Sequence, residues 1–129
     1  MPLDAAKYHL ILYTQMDEVE IPADWRKCVC DILRTRDGSR IRIVNRAKHE
    51  WDAAFPMSFA FDLYNALLDA LEVEGVTGKR VTGMLPPGEV WAFWFVHEGQ
   101  RLYGKVNLLE GKLSIMVYSA HRPLKGDKL

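Results

Sequence analysis

The sequence predicts one α+β domain, residues 1–129, in which a C-terminal three-stranded antiparallel meander packs on two helices. Two segments before residue 73 repeat apolar residues at helical spacing. The last third contains three strand-like segments separated by short turns with glycine. Of the 129 residues, 49% are hydrophobic, which is enough for one sizeable core.

The N-terminal part of the chain predicts a strand and then a helix. Residues 8 to 14 are rich in β-branched and aromatic types, which favours a strand. Pro22 opens a helix over residues 23 to 34, and the turn signal Asp37-Gly38-Ser39 ends it. The apolar side of this helix is formed by Trp25, Cys28, Val29, Ile32 and Leu33.

The middle of the chain predicts a short strand, a second helix and a long loop. Residues 40 to 44 alternate basic and apolar types, as a strand does, and the polar residues from there to Pro56 predict no regular element. A helix over residues 57 to 72 should be largely buried, because it repeats an apolar residue every four positions: Phe59, Leu63, Leu67 and Leu71. Residues 76 to 88 are the longest predicted loop and the element expected to be most mobile.

The meander has a predicted register as well as predicted strands. The strands cover residues 90–97, 102–109 and 113–120, with turns at Gly99-Gln100 and Glu110-Gly111. Because a two-residue turn sets the pairing of a hairpin, the first turn places Trp94 opposite Lys105. The second places Lys105 opposite Met116, and Tyr103 opposite Tyr118.

Alternation of side chains divides the meander into two faces. The core face is almost entirely apolar and should pack on the helices: Trp91, Phe93, Phe95, Leu102, Val106, Leu108, Leu113, Ile115 and Val117. The other face, called the mixed face below, combines rings with polar groups: Trp94, Tyr103, Lys105, Asn107, Ser114, Met116 and Tyr118, with Arg122 just beyond the strand. If the third strand is regular, His121 lies on the core face, away from Lys105. A β-bulge after Val117 or Ser119 would instead place it on the same face as Lys105.

Charge and motif content exclude several classes of function. Seventeen Lys and Arg balance seventeen Asp and Glu, so any anion-binding site must be local. No signal-peptide pattern and no membrane-length apolar run occurs, which predicts a cytoplasmic protein without a membrane partner. Cys28 and Cys30 are too close for an ordinary disulfide, and no histidine pair has metal-ligand spacing. No phosphate loop, nucleophile elbow or dinucleotide fingerprint is present, so neither a metal nor a cofactor is predicted.

The mixed face has three interpretations. Its side chains can simply coat a half-exposed sheet, with Lys105 over the Trp94 ring. It can bind RNA, because rings stack on unpaired bases and cations hold phosphate, and Trp94, Tyr118 and Arg122 are then the candidate RNA-binding residues. It can instead belong to a non-catalytic protein-binding module, such as an immunity or phage accessory factor, with Trp94, Tyr103 and Tyr118 as anchors. A positive, concave face would favour the enzyme, and a flat apolar one the protein partner.

A pattern in the final third carries a resemblance to a known group. It consists of Leu102-Tyr103-Gly104-Lys105-Val106, Glu110-Gly111-Lys112-Leu113 and Val117-Tyr118-Ser119-Ala120-His121. This pattern resembles the RelE-like and MqsR-like bacterial toxin ribonucleases, which lay N-terminal helices on an antiparallel sheet. MqsR-like toxins have a comparable tyrosine-x-lysine strand, a tight turn, and a closing strand that ends in serine, one residue and a basic residue. Tyr103, Lys105 and His121 match the tyrosine, the lysine and the closing basic residue.

The resemblance implies a metal-independent endoribonuclease with RNA as substrate, an antitoxin as protein partner, and Tyr103, Lys105 and His121 as catalytic residues. Cleaving RNA through its own 2'-hydroxyl needs a base for that proton, cations for the phosphorane and an acid for the leaving 5'-oxygen. Histidine titrates near neutral pH, so His121 suits the role of acid or base. Lys105 and Arg122 suit the phosphate, and Tyr103 can donate a hydrogen bond.

Overall fold

The computed structural model describes residues 18 to 124 and residue 129, and over these residues it has an α+β fold, as predicted. The helices are α1 (Ala23–Thr35), α2 (Asn45–Ala54) and α3 (Ala60–Leu71). The strands are β1 (Val19–Glu20), β2 (Ile41–Ile43), β3 (Thr77–Val81), β4 (Gly88–His97), β5 (Gln100–Leu109) and β6 (Ile115–His121). They form one sheet in the order β1-β3-β4-β5-β6-β2, antiparallel except where β2 runs parallel to β6. The strand predicted over residues 8 to 14 lies outside the described residues.

Helix α1 agrees with its prediction. It begins after Pro22 and ends where Arg36 adopts a left-handed backbone with φ of 52°. Val29 and Leu33 lie on its buried side, which packs against α3 and the sheet. The Trp25 indole nitrogen donates a hydrogen bond to the Glu89 carbonyl, 2.9 Å away, and so attaches the helix to β4.

Helix α2 corrects the prediction that the residues up to Pro56 form no regular element. It buries only Ala47 and Trp51, so its sequence lacks the long apolar repeat that reveals a helix. The ring of Trp51 lies 6.4 Å from the ring of Phe95 and 4.6 Å from that of Phe55. With these contacts, α2 packs beside β6, the neighbour of the edge strand β2.

Helix α3 is shorter than predicted and β3 was missed. The Asp62 carboxylate accepts a hydrogen bond from the Phe59 backbone N–H at 2.7 Å, so the helix starts after Phe59, whose side chain is exposed. Strand β3 occupies part of the predicted loop over residues 76 to 88, so that prediction is wrong for residues 77 to 81. A Cβ on Gly78 would lie 2.5 Å from the Ala92 carbonyl oxygen, which is why this close strand approach needs glycine.

The remaining part of that loop is held down by side chains from the mixed face. The Asn107 amide nitrogen donates to the Pro86 carbonyl at 2.9 Å, and the Tyr118 hydroxyl donates to the Leu85 carbonyl at 2.9 Å. The same amide also donates to the Tyr118 hydroxyl at 3.0 Å. Residues 82 to 87 therefore cover one end of the mixed face.

The three meander strands form where they were predicted, but both hairpin registers differ. Glu98 and Gly99 are the residues of the first turn, with φ of 50° and 75°, so Trp94 pairs with Tyr103 rather than with Lys105. The second connection runs from Leu109 to Ser114 and is longer than a two-residue turn, so Asn107 pairs with Met116 rather than with Ser114. The partners in the first hairpin, and those of Val106 to Leu108 in the second, have moved by two residues.

The core face is buried as predicted, with one exception. Leu113 lies in the longer second connection and is 71% exposed, so its assignment to the core is wrong. Gly104 pairs with Phe93, and a Cβ there would lie 3.0 Å from the Phe95 ring. The glycine therefore lets both rings pack closely under the helices.

Candidate functional site

A β-bulge in β6 decides which side chains share the mixed face. Val106 pairs with Val117, but the next residue of β5 towards its start, Lys105, pairs with Ser119, so Tyr118 is the extra residue. Because of this insertion, Tyr103 pairs with His121 and not with Tyr118. Directly opposite residues of an antiparallel pair lie on the same face, so His121 joins Tyr103 and Lys105. The β-bulge that His121 needs in order to reach this face is therefore present, directly after Val117.

Three rings form a row across β4, β5 and β6, called the aromatic row below. Trp94 is opposite Tyr103, with ring centroids 6.0 Å apart and planes at 80°. Tyr103 is opposite His121, with centroids 5.2 Å apart and planes at 22°. The three side chains are each partly exposed, so the row can be reached from outside the protein.

Cations lie at both sides of the aromatic row. The Arg101 guanidinium lies over the Trp94 ring at 4.3 Å, and Lys105 Nζ is 5.9 Å from the centre of the Tyr103 ring. Arg42 pairs with Met116, and Lys79 pairs with Ala92, so both basic residues also lie on the mixed face. Among the described positions of β2 to β6 that face this side, four are basic and none is acidic. The described strand positions on this face therefore hold more basic than acidic side chains, although the chain as a whole has no net charge.

Burial shifts the pKa values of two members of the site. The pKa of Lys105 is lowered by its partial burial and, to a smaller extent, by the nearby charge of Arg46. Burial also raises the pKa of Tyr103, so its phenol keeps its proton and remains a donor. An anion that settles between Lys105 and Arg46 would relieve the repulsion between these two cations.

His121 has a defined orientation. Its Nδ1 is 2.7 Å from the Arg122 carbonyl oxygen, and because a carbonyl only accepts hydrogen bonds, Nδ1 is the donor. In the neutral ring, Nε2 then has the lone pair and can accept a proton. His121 also lines an open cleft of about 310 Å³ together with Glu50 and Arg122.

The other two predicted RNA-binding residues lie apart from the aromatic row. Tyr118 is 9% exposed, and its hydroxyl is used in holding residues 82 to 87, so its ring is not presented for stacking. Arg122 is exposed and follows the end of β6, where it lines the cleft beside His121. The structure therefore brings together Trp94, Tyr103, Lys105 and His121, with Arg122 at the border.

Sequence reasoning missed three basic residues of the mixed face, Arg42, Lys79 and Arg101. It also missed Arg46 and Glu50 beside that face. Arg46 Nε lies 3.3 Å from Glu50 Oε1 within α2, and this helix contacts β6. The only sequence signal is a basic and an acidic residue at i, i+4 spacing, and it identifies a site only when the segment is known to be a helix beside His121.

Comparison with known protein families, curated proteins and solved structures finds no match to this chain. Within the described part of the chain, no three His, Cys, Asp or Glu side chains are grouped to hold a metal ion. No helix among residues 18 to 124 is long and apolar enough to cross a membrane. The geometry of the mixed face is therefore the basis for a functional assignment.

Proposed function

We propose that the mixed face binds single-stranded RNA and cleaves it, without a metal, through the 2'-hydroxyl of the substrate. The single observation that carries the proposal is the aromatic row with its cations: His121 stacked on Tyr103, and Lys105 beside them. Rings of this kind stack on unpaired bases, and cations next to them hold the intervening phosphates. We place this activity in the cytoplasm, where RNA is available.

Each group of the row has a role in the proposed reaction. Lys105 and Arg122 hold the phosphate and stabilise the negative charge of the phosphorane. His121 exchanges a proton with the reacting oxygens, and Tyr103 donates a hydrogen bond to a phosphate oxygen. The roles of Tyr103, Lys105 and His121 are those that the resemblance to RelE-like and MqsR-like toxins implies, and the bulge at Tyr118 supports them because it puts these three residues on one face of the sheet.

Local charge favours RNA over a protein partner on this face. A protein-binding module would use Trp94, Tyr103 and Tyr118 as anchors, but Tyr118 is buried, and four of the described strand positions on this face are basic. Interface cores are depleted of charged residues, whereas RNA-binding surfaces are enriched in Lys and Arg.

A protein partner is the second candidate, and one observation favours it on a different surface. Met57, Phe59 and Phe61 precede or begin α3, and their side chains are 91%, 66% and 41% exposed. The rings of Phe59 and Phe61 stack with centroids 5.4 Å apart. Clustered exposed apolar side chains of this size mark partner-binding surfaces, and an antitoxin would be such a partner.

The test is incubation of the purified protein with single-stranded RNA in the presence of EDTA. The proposal expects fragments that end in a 2',3'-cyclic phosphate and begin with a 5'-hydroxyl. If the protein neither binds nor cleaves RNA, the proposal fails and the protein-binding candidate remains.

A further inference from the structure

Two neighbouring rows of side chains run across the strands on the mixed face. The aromatic row joins Trp94 of β4, Tyr103 of β5 and His121 of β6. The second row, called the lysine row below, consists of four residues that pair directly across β3 to β6: Lys79, Ala92, Lys105 and Ser119. On β4, β5 and β6 the two rows are two residues apart, which is about 7 Å along a strand.

Two cations flank a small residue in the lysine row. Lys79 and Lys105 lie on either side of Ala92, and two steps of about 4.8 Å between strands put their Cα atoms about 10 Å apart. The Ala92 side chain is a single methyl group with no exposed surface, so it does not project between the two lysines. Neither row contains an acidic residue. A chain of phosphates that follows the lysine row would therefore meet positive charge at two separate points.

The other side of the aromatic row has a different composition. There Val96 pairs with Arg101, and the Arg101 guanidinium lies over the Trp94 ring at 4.3 Å. Strand β6 ends at His121 and adds no member on that side. When the bases of an RNA strand follow the aromatic row, the side that offers cations on two strands for the backbone is the lysine row.

We propose that single-stranded RNA crosses the strands of the sheet, with its bases on the aromatic row and its phosphates on the lysine row, and that Lys79 holds a phosphate outside the cleaved bond; this inference rests on the proposed function. Lys105 lies beside Tyr103 and so holds the reacting phosphate. Lys79 is three strands from His121, about 14 Å between Cα atoms, so it binds a different phosphate from the one on which His121 acts. Phosphate contacts fix the register of a nucleic acid on a protein, and Lys79 is in this sense a positioning residue.

The decisive variant is Lys79→Ala, titrated with a labelled 2'-O-methyl oligouridylate, which cannot be cleaved through its 2'-oxygen. We expect the affinity at low salt to fall about three- to tenfold, and the slope of log affinity against log salt to flatten by about 0.7, because one phosphate fewer is neutralised. The double variant Lys79→Ala/Lys105→Ala should flatten the slope by about twice as much, because the two lysines contact different phosphates. Lys79→Arg keeps the charge and should restore the wild-type slope.

Arg80→Ala is the matched control, because it removes the same charge from the next residue of β3. Arg80 pairs with Trp91, a residue of the core face, so its side chain lies on the opposite side of the sheet from Lys79. We expect the salt slope of Arg80→Ala to equal that of the wild type. Thermal unfolding of each variant separates a loss of RNA contacts from a loss of the fold.

Three outcomes would overturn the inference. A wild-type slope in Lys79→Ala would show that RNA does not reach β3 and runs along β5 instead, over Lys105 and Arg101. Equal flattening in Arg80→Ala and Lys79→Ala would show that only net charge matters. In both cases RNA binding by the wild type, and with it the proposed function, would stand. A wild type that binds no RNA would overturn the proposed function and this inference together.

Discussion

The imidazole of His121 stacks on the phenol ring of Tyr103, with centroids 5.2 Å apart, although an unbroken strand would place these residues on opposite faces. One extra residue, Tyr118, separates the two outcomes, because it shifts the pairing of β6 with β5 between Val117 and Ser119. The acid–base chemistry proposed for the mixed face depends on this contact.

His121→Ala should reduce RNA cleavage by a hundredfold or more while RNA binding stays nearly intact, because proton transfer contributes to the rate and little to affinity. The measurement is the single-turnover cleavage rate together with a binding titration. His49→Ala is the control, since His49 is exposed on α2. Undiminished cleavage by His121→Ala would remove this histidine from the mechanism.

Lys105→Ala and Trp94→Ala should weaken RNA binding in different ways. RNA that binds Lys105→Ala releases about one counterion fewer than RNA that binds the wild type. The slope of log affinity against log salt should therefore flatten by about 0.7. Loss of the Trp94 ring removes stacking and should leave the slope unchanged. RNA titrations at several salt concentrations measure the affinity and the salt slope of each variant. Lys27→Ala, on the distant face of α1, is the control. Equal slopes for all three variants would contradict an ionic role for Lys105.

Lys105→Met should stabilise the protein at pH 7, and the gain should shrink as the pH rises towards 10.5. Burial and Arg46 lower the pKa of Lys105 from its ordinary value of 10.5, so the unfolded chain holds this proton more tightly than the folded one. Charged Lys105 therefore destabilises the folded protein at pH values below its pKa in the folded state. This destabilisation disappears as the pH rises through the folded and then the unfolded pKa of Lys105. Melting curves of wild type and variant from pH 7 to 11 test this, and a difference that does not change with pH would contradict it.

Tyr118→Phe should loosen residues 82 to 87 without weakening RNA binding. The variant removes the hydroxyl that donates to the Leu85 carbonyl, and leaving a part-buried acceptor unpaired costs about 1 to 3 kcal/mol. Hydrogen exchange of the loop amides and an RNA titration measure the two effects. A clear loss of RNA affinity would instead return Tyr118 to the binding surface.

Leu67→Ala should lower the free energy of unfolding by about 2 to 5 kcal/mol, because Leu67 is fully buried in the core between α3 and the sheet. Leu113→Ala removes the same atoms at an exposed position and should change stability little. Denaturant unfolding of the two variants gives the comparison. Similar small shifts for both would show that α3 is peripheral to the core.

The sequence by itself determined the two faces of the meander even though both predicted registers were wrong. Trp94 was expected opposite Lys105 and is opposite Tyr103, a slip of two residues. Side chains alternate with a period of two, so a slip of two residues moves partners along the strand without exchanging faces. For that reason the buried set, apart from Leu113, and most of the mixed set were predictable from the pattern alone.

Tertiary structure alone decided which of these residues form a site. The bulge at Tyr118 leaves no signature in the alternating pattern, yet it moves His121 from the core face to the side of Tyr103. Helix α2 has too few buried residues to be recognised, so Glu50 and Arg46 acquire their place only when Trp51 packs on Phe95. A local sequence pattern indicates which face of a strand or helix a residue occupies. Glu50 and His121 line one cleft because segments about 70 residues apart in the chain pack together, and no local pattern contains that information.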